Sequence, residues 1–266
     1  MIFHVLTIFP EFFEGPFAHG VVKRGKDAGL LDIQIHNLRD WTHDRHRTVD
    51  DRPFGGAEGM VLKCEPIFSA VESIWPERAA SQKVVLLSAQ GRLFDQSIAN
   101  RLIENSGILL VCGRYEGVDE RVAEHLADEE ISIGNYVLSG GELAAAVVID
   151  TVARLLPGVL GNEASSAFES FQDTGHGEGL LDCPHWTRPA DFRGWKASEV
   201  LLGGNHEEIR MQCMFNARGS GAYDRMVALA DQCLADYDEK GWTGDTWINP
   251  DDVAYPGLPG TARAAE

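Results

Sequence analysis

The chain is short of paired cysteines, of positive charge and of long apolar runs. Its five cysteines, at 64, 112, 183, 213 and 233, include no Cys-x-x-Cys pair, and Cys183-Pro184-His185 has no second cysteine nearby. A disulfide framework and a zinc site are therefore not expected. Lys and Arg number 23 against 41 Asp and Glu, a net charge of −18, so any nucleic acid has to be held by a local basic patch. The most apolar later stretch, Leu143 to Ile149, is cut short by Asp150 and Arg154, well below the roughly 18–20 apolar residues of a membrane helix. The segment Met1 to Glu11 is apolar but has neither a basic leader nor a small-residue cleavage site. It reads as a first strand, and no membrane and a reduced, cytoplasmic setting are expected. Gly-x-Gly-x-x-Gly after a strand, the P-loop pattern, His-Glu-x-x-His and Gly-x-Ser-x-Gly are all missing, which speaks against dinucleotide oxidoreductases, P-loop enzymes, zincins and α/β-hydrolases.

What is there is an ordinary globular composition, 44% apolar and 24% charged over 266 residues, enough for one large domain or two small ones. Short apolar runs alternate with amphipathic ones: strands are expected at Ile2–Ile8, Leu31–His36, Lys83–Ser88, Ile108–Cys112 and Glu130–Ile133. Helices are expected at Phe17–Lys26, Glu65–Trp75, Phe94–Glu104 and Gly141–Leu155. Alternation of this kind predicts parallel β/α units. Residues 161–178 are small, polar and Gly-rich and read as a flexible interdomain linker. Residues 179–241 carry helical periods at Glu207–Asn216 and Tyr223–Asp238 and read as a smaller helical domain. From 242 to 266 Pro, Gly and Asp dominate, as in a disordered tail. No internal repeat is visible.

Three glycine turns follow three successive expected strands: Ser88-Ala89-Gln90-Gly91, Cys112-Gly113-Arg114-Tyr115-Glu116-Gly117, and Gly134-Asn135-Tyr136-Val137-Leu138-Ser139-Gly140-Gly141. Open α/β sheets bind ligands at those strand ends, and glycines there let backbone N–H and C=O groups read a flat heterocycle such as adenine. Each glycine alone is accounted for by a tight turn, and Glu116, Asp119 and Glu142 by acids at helix starts; three turns in series point to a ligand.

Further motifs are Thr7-Ile8-Phe9-Pro10-Glu11, Asp51-Arg52-Pro53-Phe54-Gly55-Gly56, Gly113 to Arg121, Tyr136 to Glu142, Leu156 to Gly161, Gly179 to His185, Thr187-Arg188-Pro189 and Gly204-Asn205-His206. On these segments, across roughly residues 1–210, the chain resembles the TrmD family of bacterial tRNA (guanine-N1)-methyltransferases, in the SPOUT superfamily. The resemblance implies a homodimer whose first domain, residues 1–160, is an α/β fold with a trefoil-knotted parallel sheet that binds S-adenosylmethionine. The residues implied to hold it are Leu87, Ser88, Gln90, Gly113, Tyr115, Glu116, Ile133, Gly134, Asn135, Tyr136, Val137, Leu138, Gly140 and Gly141. It further implies that the smaller domain grips tRNA, that the target is N1 of guanosine 37, and that the modification helps hold the reading frame.

Methylating guanine N1 requires that nitrogen to lose its proton to a carboxylate, while a cation or N–H donors meet charge developing on O6. A sulfonium methyl is already activated, so no metal is obligatory, although Mg2+ could organise the RNA. The resemblance implies Arg154 for O6 and Glu169 for N1; an Asp150–Arg154 helix pair is the bland alternative for Arg154, and Asp173 and Asp182 are other carboxylates near Glu169. Where the family pattern has Asp-Ser-Phe this chain has Glu169-Ser170-Phe171, the same group with one more methylene. The glycine-rich loop reads Gly55-Gly56-Ala57-Glu58-Gly59-Met60, and the usually basic helix after Asn205-His206 reads Ile209-Arg210-Met211-Gln212-Cys213-Met214. Residues 222–266 hold three basic residues against nine acids. The remaining basic candidates for RNA are Arg39, Arg45, Arg47 and Arg52 with His36, His43 and His46, then Arg188, Arg193 and Lys196 beside Trp186 and Trp195. The competing readings are a non-catalytic homologue that keeps cofactor or RNA binding, and a small-molecule enzyme or nucleotide hydrolase of another family.

Overall fold

A computed structural model of the chain describes residues 1–56, 58–160, 170–171, 184–205 and 209. The chain divides into two compact units, Met1–Glu178 and Gly179–Glu266. In the first, β1 (Ile2–Thr7), α1 (Gly20–Asp27) and β2 (Asp32–Asn37) are followed by a two-stranded antiparallel pair, β3 (Asp50–Asp51) with β4 (Val61–Leu62). Then come α2 (Cys64–Ile74), β5 (Gln82–Leu93), α3 (Gln96–Leu102), β6 (Gly107–Cys112), α4 (Glu120–His125), β7 (Glu129–Ser132) and α5 (Glu142–Ala153). The five long strands form one parallel sheet in the order β2-β1-β6-β5-β7.

Strand periodicity builds the two cores. Phe3, Val5, Val85, Leu87, Ile108 and Leu110 point to one side, where they meet Val22 of α1, Ile98 and Leu102 of α3, and Val148, Ile149 and Val152 of α5. The alternate residues Leu6, Val84, Leu86, Leu109 and Val111 point to the other, against Ile67 and Val71 of α2 and Val122 of α4. A parallel sheet needs cover on both faces, and β6, with all six residues buried, is its centre. Local signals set the helix starts: the Asp95 carboxylate accepts from the Ile98 N–H at 2.8 Å, a cap worth about 1 kcal/mol.

Strand β5 departs from expectation. The sequence places a turn at Ser88–Gly91, but the strand loops out there and resumes: Leu87 and Arg92 both lie opposite Ile131, and Leu93 pairs with Ser132. Gly91 makes this possible, because a Cβ on it would sit 2.5 Å from the backbone of Glu130 and Ile131.

On the sheet's α2 side, His4 of β1 meets His36 of β2, with Nδ1 and Nε2 2.9 Å apart and with Trp75 edge-on to His4. Facing ring nitrogens at that separation share one proton. Burial first, then the His36 charge, lowers His4 from 6.5 to about 4 against the opposing pull of Asp32, and burial lowers His36 as well. Between pH 6.5 and about 4 the unfolded chain takes up a proton that native His4 refuses, so stability is full above that window and falls as the pH drops through it. With allowance for solvent screening the loss is about 2 kcal/mol. Urea titrations at pH 7 and 4.5 should show a smaller drop for His4→Gln than for the parent chain; equal drops would remove His4 as the cause.

In the second unit the described residues form a hairpin, β8 (Asp191–Phe192) with β9 (Trp195–Lys196), and the one-turn α6 (Glu199–Leu202). The hairpin was not expected from sequence. Its turn residues Arg193 and Gly194 have φ of 57° and 87°, the both-positive pattern of a two-residue turn matched to strand twist. The linker expected at 161–178 apart from Ser170 and Phe171, the helical periods apart from Ile209, and the tail lie outside the described residues.

Candidate active site at the carboxyl ends of the strands

The three glycine segments lie at the carboxyl ends of β5, β6 and β7, neighbours in the sheet as β6-β5-β7. Leu87 is buried at the end of the regular part of β5. Ser88 and Gln90 stand in the looped-out stretch, where the Gln90 N–H donates to Ser88 Oγ at 3.1 Å.

The loop after β6 is tied on two sides. Towards β4, the Glu116 N–H donates to the Met60 carbonyl at 3.0 Å and the Leu62 N–H to the Gly117 carbonyl at 3.0 Å. Towards α5, Gly113 accepts from the Gly141 N–H at 2.9 Å, and Arg114 forms a bridge with Gly140. Gly141 must be glycine because a Cβ there would lie 2.7 Å from Cys112 Cα. Tyr115, at φ 59°, holds its ring half exposed.

After β7, Ser132 Oγ donates to the Gly134 carbonyl at 3.2 Å, and the Tyr136 hydroxyl donates to the Ile133 carbonyl at 3.1 Å. Asn135, Tyr136 and Val137 are exposed and Ile133, Gly134 and Leu138 half-buried. The fourteen residues implied by the resemblance thus occupy these three loops and their strand ends.

Sequence reasoning treated Glu142 only as an acid at a helix start and gave Thr7 no role. In the structure Glu142 is 1% exposed. Its carboxylate accepts from the Thr7 hydroxyl at 2.7 Å and from Arg114 Nε at 3.0 Å. Arg114 Nη1 also donates to the Ser139 carbonyl at 3.0 Å, and its guanidinium lies 4.5 Å over the Phe9 ring. The partners are 135 and 28 residues apart, so no spacing signal could have joined them.

Burial pushes the Cys112 thiol well up, with the Glu142 carboxylate adding to the effect, and burial does the same to Cys64. Neither is suited to act as a thiolate nucleophile. No group of three or more His, Cys, Asp or Glu able to hold a metal ion occurs among the described residues, and no helix among them is long and apolar enough to cross a membrane.

Arg154 caps the far end of α5, half-buried, its N–H donating to the Asp150 carbonyl at 3.3 Å. The three glycine loops lie at the other end of that helix, beside Glu142. Glu169, Asp173 and Asp182 lie outside the described residues.

Of the basic candidates, Arg47 pairs with Asp40 and Arg39 Nη1 donates to the Arg47 carbonyl at 3.1 Å, while Arg45 and Arg52 are exposed. Near Arg52, the Phe54 ring is 99% exposed. In the second unit Arg188, Arg193 and Lys196 stand exposed with Trp186, Phe192 and Trp195, and Arg193 lies 5.1 Å over the Phe192 ring.

A family model described as tRNA (Guanine-1)-methyltransferase TrmD matches residues 1–229. The chain is 54% identical over 205 residues to a tRNA (guanine-N(1)-)-methyltransferase of Dehalococcoides mccartyi, covering 77% of this chain and 81% of that one. It is 56% identical over 220 residues to a protein of the same name from Koribacter versatilis, covering 77% and 83%. To one from a Geobacter species it is 49% identical over 209 residues, covering 79% and 82%.

Proposed function

Since the chain belongs to the TrmD family of tRNA (guanine-1)-methyltransferases, we propose that it transfers the methyl group of S-adenosylmethionine to N1 of guanosine 37 in tRNA, in the cytoplasm, and so supports reading-frame maintenance. The observation that carries this reading is the set of three loops at the carboxyl ends of adjacent parallel strands, where such sheets bind ligands, with the loop after β6 bonded to the turn before α5. The residues fit the co-substrate: Leu87, Ile133 and Leu138 offer apolar walls to a flat heterocycle, and backbone donors and acceptors of the loops read its edge. When bound, S-adenosylmethionine supplies a methyl group activated by its sulfonium charge. The chain's own part is to align that methyl with N1, to take the N1 proton on Glu169 and to meet charge on O6 with Arg154. A divalent ion such as Mg2+ has no required step and would act by organising the RNA.

The geometry of α5 favours a homodimer. Nine of its twelve residues are apolar, and apolar residues left exposed on such a helix call for cover. Leu143 is 52% and Val147 44% exposed, and both share a face with Arg154 by helical spacing. That helix spans about 18 Å at 1.5 Å per residue, so Arg154 stands far from the loops of its own chain. Antiparallel contact of two α5 helices across a two-fold axis would cover the apolar face and bring Arg154 of the partner subunit to those loops.

With a net charge of −18, the RNA has to be met locally. Arg188, Arg193 and Lys196 among exposed aromatic rings suit phosphates and unstacked bases, which supports the reading that the second unit contacts tRNA. The test is transfer of label from S-adenosylmethionine to a bacterial tRNA carrying guanosines at positions 36 and 37, followed by digestion to locate it. Label on N1 of guanosine 37 is the expected result. Binding of S-adenosylmethionine without transfer would instead favour a non-catalytic homologue.

A further inference from the structure

The segment Thr7-Ile8-Phe9-Pro10-Glu11 has no part in the chemistry above, yet Thr7 is 1% exposed and ends at the same buried carboxylate as Arg114. We propose that Thr7, Glu142 and Arg114 act as one positioning unit that clamps the loop after β6 to the Leu138–Gly141 turn and so sets the affinity of the seat for S-adenosylmethionine. The inference rests on the reading of these loops as that seat.

Thr7 Oγ, both carboxylate oxygens of Glu142, and Nε and Nη1 of Arg114 each have a partner. Thr7 Oγ accepts from the Phe9 N–H at 2.9 Å and donates to Glu142 at 2.7 Å, so the hydroxyl works in both senses. Glu142 Oε1 takes that hydrogen bond and Oε2 takes Arg114 Nε, with the carboxylate at the first residue of α5, where the helix N-terminus favours negative charge. Arg114 spends Nη1 on the Ser139 carbonyl and rests its plane over Phe9. The guanidinium, carried by the loop after β6, therefore touches the segment after β1, the turn before α5 and the first residue of α5, and its orientation is determined from three directions.

A buried ion pair is a poor way to gain stability, since desolvation offsets most of the attraction and apolar residues of similar volume do as well or better. What it provides is direction. A planar guanidinium holds two acceptors at fixed angles, and here the acceptors are the side chain that begins α5 and a carbonyl of the turn before it. The same turn contains Gly140 and Gly141, which pack on Arg114 and on the Cys112 backbone respectively. Loss of the Thr7 hydroxyl leaves Glu142 one donor short and lets the carboxylate, Arg114 and the turn move together, while Glu169 and the target base keep their own chemistry.

The experiment measures S-adenosylmethionine binding by calorimetry and steady-state kinetics on the full chain for Thr7→Val, Thr7→Ser and Arg114→Lys. Thr7→Val keeps the shape and removes the hydroxyl. It should raise Kd and KM for S-adenosylmethionine about tenfold, the scale of a lost hydrogen bond to a charged group, with kcat falling much less. Thr7→Ser should return both to within about twofold, because the hydroxyl is restored. Arg114→Lys keeps the charge but not the fork and should resemble Thr7→Val; it carries the test if Thr7→Val does not fold. Lower melting temperatures with parental Kd and KM would overturn the proposal and leave the unit a structural one. Failure of the parent chain to bind S-adenosylmethionine at all would overturn the seat itself, an outcome distinct from equal binding by parent and variants.

Discussion

Glu169→Gln should abolish methyl transfer while leaving S-adenosylmethionine affinity within a few-fold. The amide keeps the size and hydrogen-bonding reach of the carboxylate but cannot accept the N1 proton, and a positioned general base contributes about 10²- to 10⁴-fold. Single-turnover rates with saturating tRNA, set beside calorimetric Kd values for S-adenosylmethionine, separate the two effects. A rate within tenfold of the parent would remove Glu169 as the base and turn attention to Asp173 and Asp182. Glu169→Asp is the complementary variant: it restores the shorter side chain of the family pattern and should retain turnover, because the reacting group is unchanged.

The second large effect is expected from mixing two inactive proteins. Arg154→Ala should lower turnover about 100-fold or more, the usual loss when one donor to a developing oxyanion is removed. Gly141→Val should disable the seat, because even its Cβ meets Cys112 Cα at 2.7 Å. If Arg154 serves the loops of the partner subunit, a mixed dimer regains one intact site, made from the loops of the Arg154→Ala chain and the arginine of the Gly141→Val chain. Random exchange then restores roughly a quarter of the parental sites. No recovery, with mixed dimers demonstrated by native mass spectrometry, would show that Arg154 acts on its own chain or that the proposed α5 contact is wrong.

The large elements were legible because their signals are local. Lys83–Ser88 and Ile108–Cys112 read as buried strands from short runs rich in branched aliphatic residues, and they lie within β5 and β6. Gly141–Leu155 read as a helix and contains α5. The errors fall where a distant partner overrode a local signal. Ser88–Gly91 looks like the end of a strand, but pairing of Arg92 and Leu93 with β7 carries β5 onward. The two-residue pair of β3 and β4 is too short to show periodicity, and the Arg193-Gly194 turn lacks the Asn-Gly or Asp-Gly signature of tight hairpins.

The glycine segments and their order along the chain were likewise readable, since each follows an apolar run and glycine marks close backbone approach. The sequence by itself therefore determined the α/β alternation, the need for cover on both faces of the sheet, and the three loops that carry the candidate site. Which loops touch which, and what fixes them, only the tertiary structure decided. Thr7 and Glu142 are 135 residues apart and Arg114 and Glu142 are 28 apart; both separations exceed the reach of any local helix or strand spacing. They meet because β1 and β6 are adjacent and α5 begins at their common end, and a buried carboxylate must find its donors wherever the sheet order brings them.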